Sequence, residues 1–224
     1  MAIIDIHNHA LFGIDDGAQT IADSVLMIQD AIDNGISDLI LTPHLNKRSK
    51  NVDVEKHFEI LKEKVKDLKI NLYLGREVRY YEYEKIDYVT LNNSNYCLIE
   101  FSIQSEQPIE EICYNLKSNG FKPIIAHVER YHNLRKNDYN QLKKVAYLQL
   151  NAETVIGMSS YKKDLRIAKY LLKKRLVDFV ASDAHDVKKR KNQMLKAYQH
   201  VKNKYGKQYA NLIFKENAQP IINN

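Results

Sequence analysis

Seven short β-type runs recur along the chain, at residues 3–6, 38–41, 71–74, 96–99, 123–126, 147–150 and 178–181. The segments between them carry apolar residues at helical spacing: Ile21, Val25, Ile28 and Ile32; then Phe58, Leu61, Val65 and Leu68; then Ile167, Leu171 and Leu172. Strand and helix alternate throughout, which implies parallel strands joined by right-handed crossovers. Seven such units suit a closed or nearly closed barrel better than a long open sheet, so the expected fold is α/β, a distorted TIM-like (β/α)7 barrel. No glycine-rich turn argues for a dinucleotide-binding sheet. Residues 188–205 and 207–217 read as one or two helices on the outside of the barrel, and the closing AQPIINN reads as a loose end.

With 224 residues, 44% hydrophobic and 28% charged, the chain fits one folded domain spanning 1–224 and excludes disordered, fibrous and disulfide-rich classes. Seven Gly and four Pro are too few for a low-complexity linker. No run is long and apolar enough for a bilayer span, and MAIIDIHNHA lacks the basic and apolar regions of a secretory leader, so a cytoplasmic protein without membrane insertion is expected. Cys97 and Cys113 lie in apolar stretches and read as core filling in a reducing compartment. The net charge of +6 favours anionic partners without choosing among them.

Chemistry enters with the residues that follow each run. After IIDI come His7, Asn8 and His9; after DLIL, Thr42, Pro43 and His44; after NLYL, Gly75, Arg76 and Glu77. Glu100 follows YCLI, His127 follows PIIA, and Asp183 and His185 follow DFVAS. In a parallel barrel all strand C-termini open on one face, so these side chains should meet in one pocket. Five of the eight histidines occupy such ends, whereas His57, His132 and His200 fall on presumed helices or loops. Imidazole with carboxylate suits Zn, Mn or Fe, and the lack of Cys argues against a structural zinc site. His7 and His9, at i and i+2, point to one side of a strand and can grip one ion; Asp183 and His185 repeat that spacing.

Asp15-Asp16-Gly17 reads equally as a turn, but beside a cation-rich site a carboxylate is useful as a ligand. Arg130 and Arg190 are placed to reach the same face, where phosphate recognition wants planar, permanently charged donors. Taken alone, the run from Lys188 to Lys191 reads as a solvated helix start. Tyr80, Tyr81 and Tyr83 follow Glu77 and could wall the pocket.

Assembled, these residues resemble the PHP (polymerase and histidinol phosphatase) superfamily, and within it the bacterial manganese-dependent protein-tyrosine phosphatases of capsule and exopolysaccharide loci. The likeness is carried in order by DIHNHALFGIDDGAQT, LILTPH, GREVRYY, CLIEFS, PIIAHVERY and VASDAHDVKKR. It implies three Mn2+ ions, with Fe, Co or Zn as substitutes: His7, His9, Glu77 and Asp183 on the first; Glu77 as a bridge with Glu100 and His127 on the second; Asp16, His44 and His185 on the third. Arg130 and Arg190 match the arginines such enzymes use on the substrate phosphate, and Asp183 is counted with them as catalytic. The run LQLNAETVIG looks less polar than the matching strand end of relatives, and no ligand is assigned to it.

The resemblance further implies a protein-tyrosine phosphatase that uses metal-activated hydroxide on the phosphotyrosine-rich tail of a bacterial tyrosine kinase, and through that kinase regulates capsular polysaccharide synthesis. The phenolate leaving group, with a pKa of about 10, needs little protonation. Neither cysteine has Arg six positions later, so the Cys-x5-Arg loop of thiolate phosphatases is absent. The alternatives are a small-molecule phosphatase of histidinol phosphatase type, a metal-dependent nuclease and a metal-bound interaction module. No aromatic stacking module for single strands is evident, and nucleic acid is not the expected partner.

Overall fold

In a computed structural model, residues 2–47, 49–80 and 89–224 are described. Nine strands are found among them: β1 (Ile3–Asn8), β2 (Ile36–Leu41), β3 (His44–Leu45), β4 (Asn71–Leu74), β5 (Glu77–Arg79), β6 (Tyr96–Glu100), β7 (Lys122–Ile125), β8 (Tyr147–Asn151) and β9 (Phe179–Ala181). Every pairing is parallel, in the orders β1-β2-β4 and β3-β5-β6-β7-β8-β9.

The two sheets are one curled surface with a bend. Thr42 and Pro43 separate β2 from β3, and Gly75 and Arg76 separate β4 from β5, so each of these pairs fills one position of a seven-position ring. Pro43 has no N–H to continue a ladder. Gly75 is required at its corner because a Cβ there would lie 2.6 Å from Leu91 Cδ2. Bonds from Gly75 N to Leu41 O (2.9 Å) and from Glu77 N to Pro43 O (3.3 Å) carry the pairing across the bend. On the opposite side the ring closes beyond the strand ends, where Asp183 N donates to His7 O (2.9 Å) and His9 N to Ala184 O (3.0 Å). The seven expected runs are all strands, and the barrel is α/β and distorted as expected.

Helices α1 (Ile21–Asp33), α2 (Val54–Lys64), α3 (Ile109–Ser118), α4 (Lys136–Val145), α5 (Ala152–Val155), α6 (Lys162–Lys173), α7 (Met194–Tyr205), α8 (Lys207–Phe214) and α9 (Gln219–Ile222) complete the fold. A reciprocal cap starts α1, with Asp23 N donating to Thr20 Oγ1 and Thr20 N to Asp23 Oδ2. Alternation along the strands splits the core in two: Cys97 and Ile99 join the large cluster under the helices, while Leu98 joins a smaller one with Ile4, Ile40, Ile124 and Phe179.

The smaller cluster also holds Ile221 of α9, which is fully buried, and Asn92 Nδ2 donates to Ile221 O at 3.0 Å. The tail is therefore not a loose end. Two apolar residues in QPII plug the ring near the strand starts, an outcome local polarity hides. Residues 188–193 are not helical either. Asp186 accepts from Lys188 N and Lys189 N at 2.6 Å each, and His185 N donates to Arg190 O, which folds the run back on itself. Among the described residues no helix is long and apolar enough to cross a membrane.

Candidate metal centre at the strand ends

The strand C-termini bring nine predicted side chains to one rim. His7 lies near the end of β1, His44 begins β3, Glu77 begins β5 and Glu100 ends β6. His9, His127, Asp183 and His185 lie just past their strands. His127 and Asp183 adopt left-handed backbone conformations, at φ 33° and 50°, which cost roughly 1–3 kcal/mol each. Both are held: His127 N donates to Gln149 Oε1 at 2.9 Å, and Asp183 N to His7 O. Asp183 and His185 thus converge through a sharp turn, not through the strand alternation that joins His7 to His9.

The Asp15-Asp16-Gly17 segment lies against the His9 backbone. A Cβ on Gly17 would fall 2.1 Å from His9 O, so only glycine permits this approach. It delivers Asp15 to His9 (Nδ1 to Oδ2, 2.7 Å) and to His44 N (2.8 Å), and leaves Asp16 at the mouth with its side chain 64% exposed.

His7 Nε2 and His9 Nε2 stand 3.1 Å apart, and both lie 3.3–3.5 Å from Glu77 Oε2 and Asp183 Oδ1. Glu77 also reaches His44 Nδ1 (2.8 Å) and His127 Nε2 (3.2 Å), with Glu100 3.8 Å from His127 and 4.0 Å from His44. Asp16 Oδ1 is 3.5 Å from both His44 Nε2 and His185 Nε2. Among the described residues three groups have ligand atoms mutually within 4.8 Å: His7, His9 and Asp183; His44, Glu77 and Glu100; His9, Asp16, His44 and His185. His9 and His44 each join two of them. The third group contains the expected Asp16, His44 and His185 with His9 added, the first lacks the expected Glu77, and the second holds His44 where His127 was expected.

Charge is balanced inside this buried cluster. Burial opposes protonation of His9, but Asp15 and Glu77 outweigh it and push the imidazole up to about 10. His7 and His44 move up in the same way, against burial, through Glu77. His127 and His185 are pushed down, first by burial and then by the charges of Arg130 and His9 respectively. Burial disfavours ionised Glu77 and Asp183, yet the surrounding imidazoles, and for Asp183 both arginines, hold them well below the usual carboxylate range.

Among the described residues, seven buried side-chain atoms lack an aligned hydrogen bond, and five belong to candidate ligands: His44 Nδ1, Glu77 Oε2, Glu100 Oε2, His127 Nδ1 and His185 Nε2. Two of them, His44 Nδ1 and Glu77 Oε2, face each other at 2.8 Å and Glu100 Oε2 faces Arg79 Nε at 2.8 Å, and so dense a packing of imidazole and carboxylate groups fits divalent cations.

Arg130 follows His127 by one short turn, Val128–Arg130. Its guanidinium meets Asp183 Oδ2 at 3.1 Å, and Arg190 meets Asp183 at 3.2 Å and Asp16 at 3.5 Å. Arg190 is thus part of the rim and not of a solvated helix start. Tyr80, expected as a pocket wall, packs on Phe101 in the helix-side core; Tyr81 and Tyr83 lie outside the described residues. Away from the cluster, His57 donates to Phe12 O and His132 pairs with Asp164.

β8 contributes more than its sequence suggested. Gln149 Oε1 accepts from His127 N and lies 3.2 Å from His7 Nδ1, while Asn151 Nδ2 donates to Asp183 at 2.7 Å. The two amides also bond each other at 2.9 Å. The available signal was Gln-x-Asn at i and i+2 in an apolar strand, the same spacing as His7 and His9.

The CpsB protein of Streptococcus agalactiae serotype III (strain NEM316), a tyrosine-protein phosphatase, is 31% identical over 242 residues, covering 99% of each chain. The tyrosine-protein phosphatase CpsB of Streptococcus pneumoniae is 33% identical over 240 residues, covering 98% of each. A crystal structure from the work on YwqE of Bacillus subtilis and CpsB of Streptococcus pneumoniae, described there as unique metal-dependent tyrosine phosphatases, superposes with a TM-score of 0.89 at 29% identity, over 99% of this chain and 95% of that one. The family described as "Capsular polysaccharide synthesis, CpsB/CapC" matches residues 3–223. With a family model that matches residues 3–223 and relatives similar along nearly their whole length, the chain belongs to the CpsB/CapC family.

Proposed function

We propose that the chain is a metal-dependent protein-tyrosine phosphatase, one PHP-type domain over residues 1–224, acting on phosphotyrosine in capsular polysaccharide synthesis. The observation that carries this reading is the convergence of imidazole and carboxylate side chains, most of them buried, with two arginines at one rim.

His7, His9, Glu77 and Asp183 would hold one cation, Glu77, Glu100 and His127 a second, and Asp16, His44 and His185 a third; manganese is our assignment for all three. Bound there, the cations supply an acidified water and positive charge for a phosphoryl group in flight. The chain's own residues do the rest. Arg130 and Arg190, with side chains 29% and 38% exposed, stand at the rim and present planar donors that fit phosphate oxygens. Asp183 holds both guanidiniums in place, and Asn151 fixes that carboxylate from behind. Charge spreads over the nonbridging oxygens in the transition state, so fixed cationic donors lower the barrier most there. A phenolate leaves readily, with a pKa of about 10, so the reaction asks little of a proton donor.

The partner we propose is the phosphorylated tyrosine-rich tail of a bacterial tyrosine kinase, which a chain of net charge +6 attracts. A cytoplasmic location suits the two free, buried cysteines. The test is phosphate release from a phosphotyrosine peptide after chelation and separate re-addition of Mn, Fe, Co or Zn, with histidinol phosphate in parallel. Release that needs metal and favours the peptide is expected; preference for histidinol phosphate contradicts the substrate, and release without metal contradicts the mechanism.

A further inference from the structure

Beside the metal centre lies a cleft of about 480 Å3, bordered by Ile103 beyond β6 and by Met158 and Tyr161 in the loop between α5 and α6. Arg130 also lines it, and the same guanidinium reaches Asp183, so cleft and centre share a wall. Among the described residues eight large hydrophobic side chains are exposed, and three of them border this cleft: Ile103 (64%), Met158 (54%) and Tyr161 (67%). Exposed apolar side chains gathered in one place mark contact sites more often than scattered ones do. Their support is rigid. Asp164, itself buried, accepts from Ser159 Oγ at 2.8 Å and pairs with His132 Nε2 at 2.5 Å, while Met158 N donates to Glu153 O at 2.9 Å. Met158 and Tyr161 are therefore presented on a loop already in shape.

We propose that this cleft is a specificity subsite that receives a residue flanking the phosphotyrosine of a polypeptide substrate, with preference for an aliphatic or aromatic side chain. The proposal rests on the phosphotyrosine reading above. A phosphate held at Arg130 leaves the tyrosine ring leading outward, and the polypeptide on either side must then cross the rim. Consecutive Cα atoms are about 3.8 Å apart, so a residue one or two positions from the phosphotyrosine falls over a depression that shares Arg130. Three of the ten lining residues, Ile103, Met158 and Tyr161, are apolar or aromatic and the rest are polar or charged, so an apolar flanking side chain would be received by those three.

The test compares the metal-loaded chain with Tyr161→Ala and Met158→Ser on three substrates: a phosphotyrosine peptide with Leu beside the phosphotyrosine, the same peptide with Gly there, and 4-nitrophenyl phosphate, which has no flank. The wild type is expected to favour the Leu peptide over the Gly peptide by about tenfold in kcat/KM, and each variant to lose most of that preference. Fluorescence anisotropy with the Leu peptide carrying a non-hydrolysable phosphonate in place of phosphotyrosine should show the same loss in affinity. A wild type indifferent to the flank, variants that keep the preference, or an equal fall on all three substrates would each overturn the subsite while leaving the phosphotyrosine reading in place. Absence of phosphate release from every substrate would overturn that reading and the subsite with it.

Discussion

The Asp15 carboxylate accepts the Nδ1 proton of His9 at 2.7 Å and so turns Nε2 of that imidazole toward Glu77 and Asp183. The same oxygen takes the backbone N–H of His44, which ties two strand ends to one carboxylate. Asp15 thereby orients a ligand without being one of the expected ligands. Removing such a partner weakens metal binding by about 10–100-fold. Asp15→Ala should show that loss in competition with a metal-binding dye, and excess metal should restore turnover; unchanged affinity would contradict the orienting role.

Stability of the chelated protein should depend on pH through the same imidazole. His9 is raised to about 10 because Asp15 and Glu77 outweigh the cost of its burial. The folded chain then binds this proton more tightly than the unfolded chain, whose histidine titrates near about 6.5. The stabilisation is complete below about pH 6.5 and is lost as pH rises through about 10. Asp183 and Glu77, held below the usual carboxylate range against the cost of burial, carry the opposite sign: their contribution is present above the ordinary carboxylate pKa and disappears on acidification. Calorimetry in chelator should record a falling Tm from pH 7 to 10, by roughly 2–4 °C per kcal/mol lost. His9→Asn should flatten that fall; a slope unchanged by the substitution would contradict the assignment.

The thiols should take no part in turnover. Burial pushes Cys97 up to about 12 and Cys113 higher still, so neither supplies a thiolate near neutral pH. Iodoacetamide applied to the native, metal-loaded chain should leave phosphate release intact, and Cys97→Ala with Cys113→Ala should retain it. Inactivation on alkylation of a folded sample would contradict a reaction without a cysteine nucleophile.

Gln149 should prove structural for the centre. Its Oε1 accepts from His127 N, the amide of a residue in left-handed backbone conformation. Gln149→Leu leaves that N–H buried without a partner, at a cost of about 1–3 kcal/mol. Chemical denaturation should show a shift of that size, together with weaker metal binding as His7 and His127 lose their common support. Full stability in the variant would contradict this account of how His127 is held.

The ring of strands and eight of the nine ligand-type side chains were legible because short β-type runs and their C-terminal neighbours are local signals; Asp16, in a turn, was assigned through the resemblance. What stayed hidden depends on packing across the chain. Nothing near Gly75 in the chain shows why it is glycine; the close neighbour is Leu91, sixteen positions on. The QPII tail looks too polar around it to be buried, and only the open base of the ring gives Ile221 a place. Gln149 and Asn151 sit in an ordinary strand until His7, His127 and Asp183, more than twenty residues away from them, turn toward the same point. The Lys-rich run before α7 is the exception: its fold-back is local, with Asp186 accepting from Lys188 N and Lys189 N and Arg190 reaching Asp183, but its run of charge reads as a solvated helix start.

Equilibrium dialysis of the full chain against manganese, followed by elemental analysis, tests most directly whether the converging strand ends hold cations. Three ions per wild-type chain are expected from the proposed ligand sets, with a clear deficit in His9→Ala because His9 is a proposed ligand of the first ion and also lies within 4.8 Å of Asp16, His44 and His185. A wild-type chain that retains no ion under conditions in which it remains folded would contradict the account.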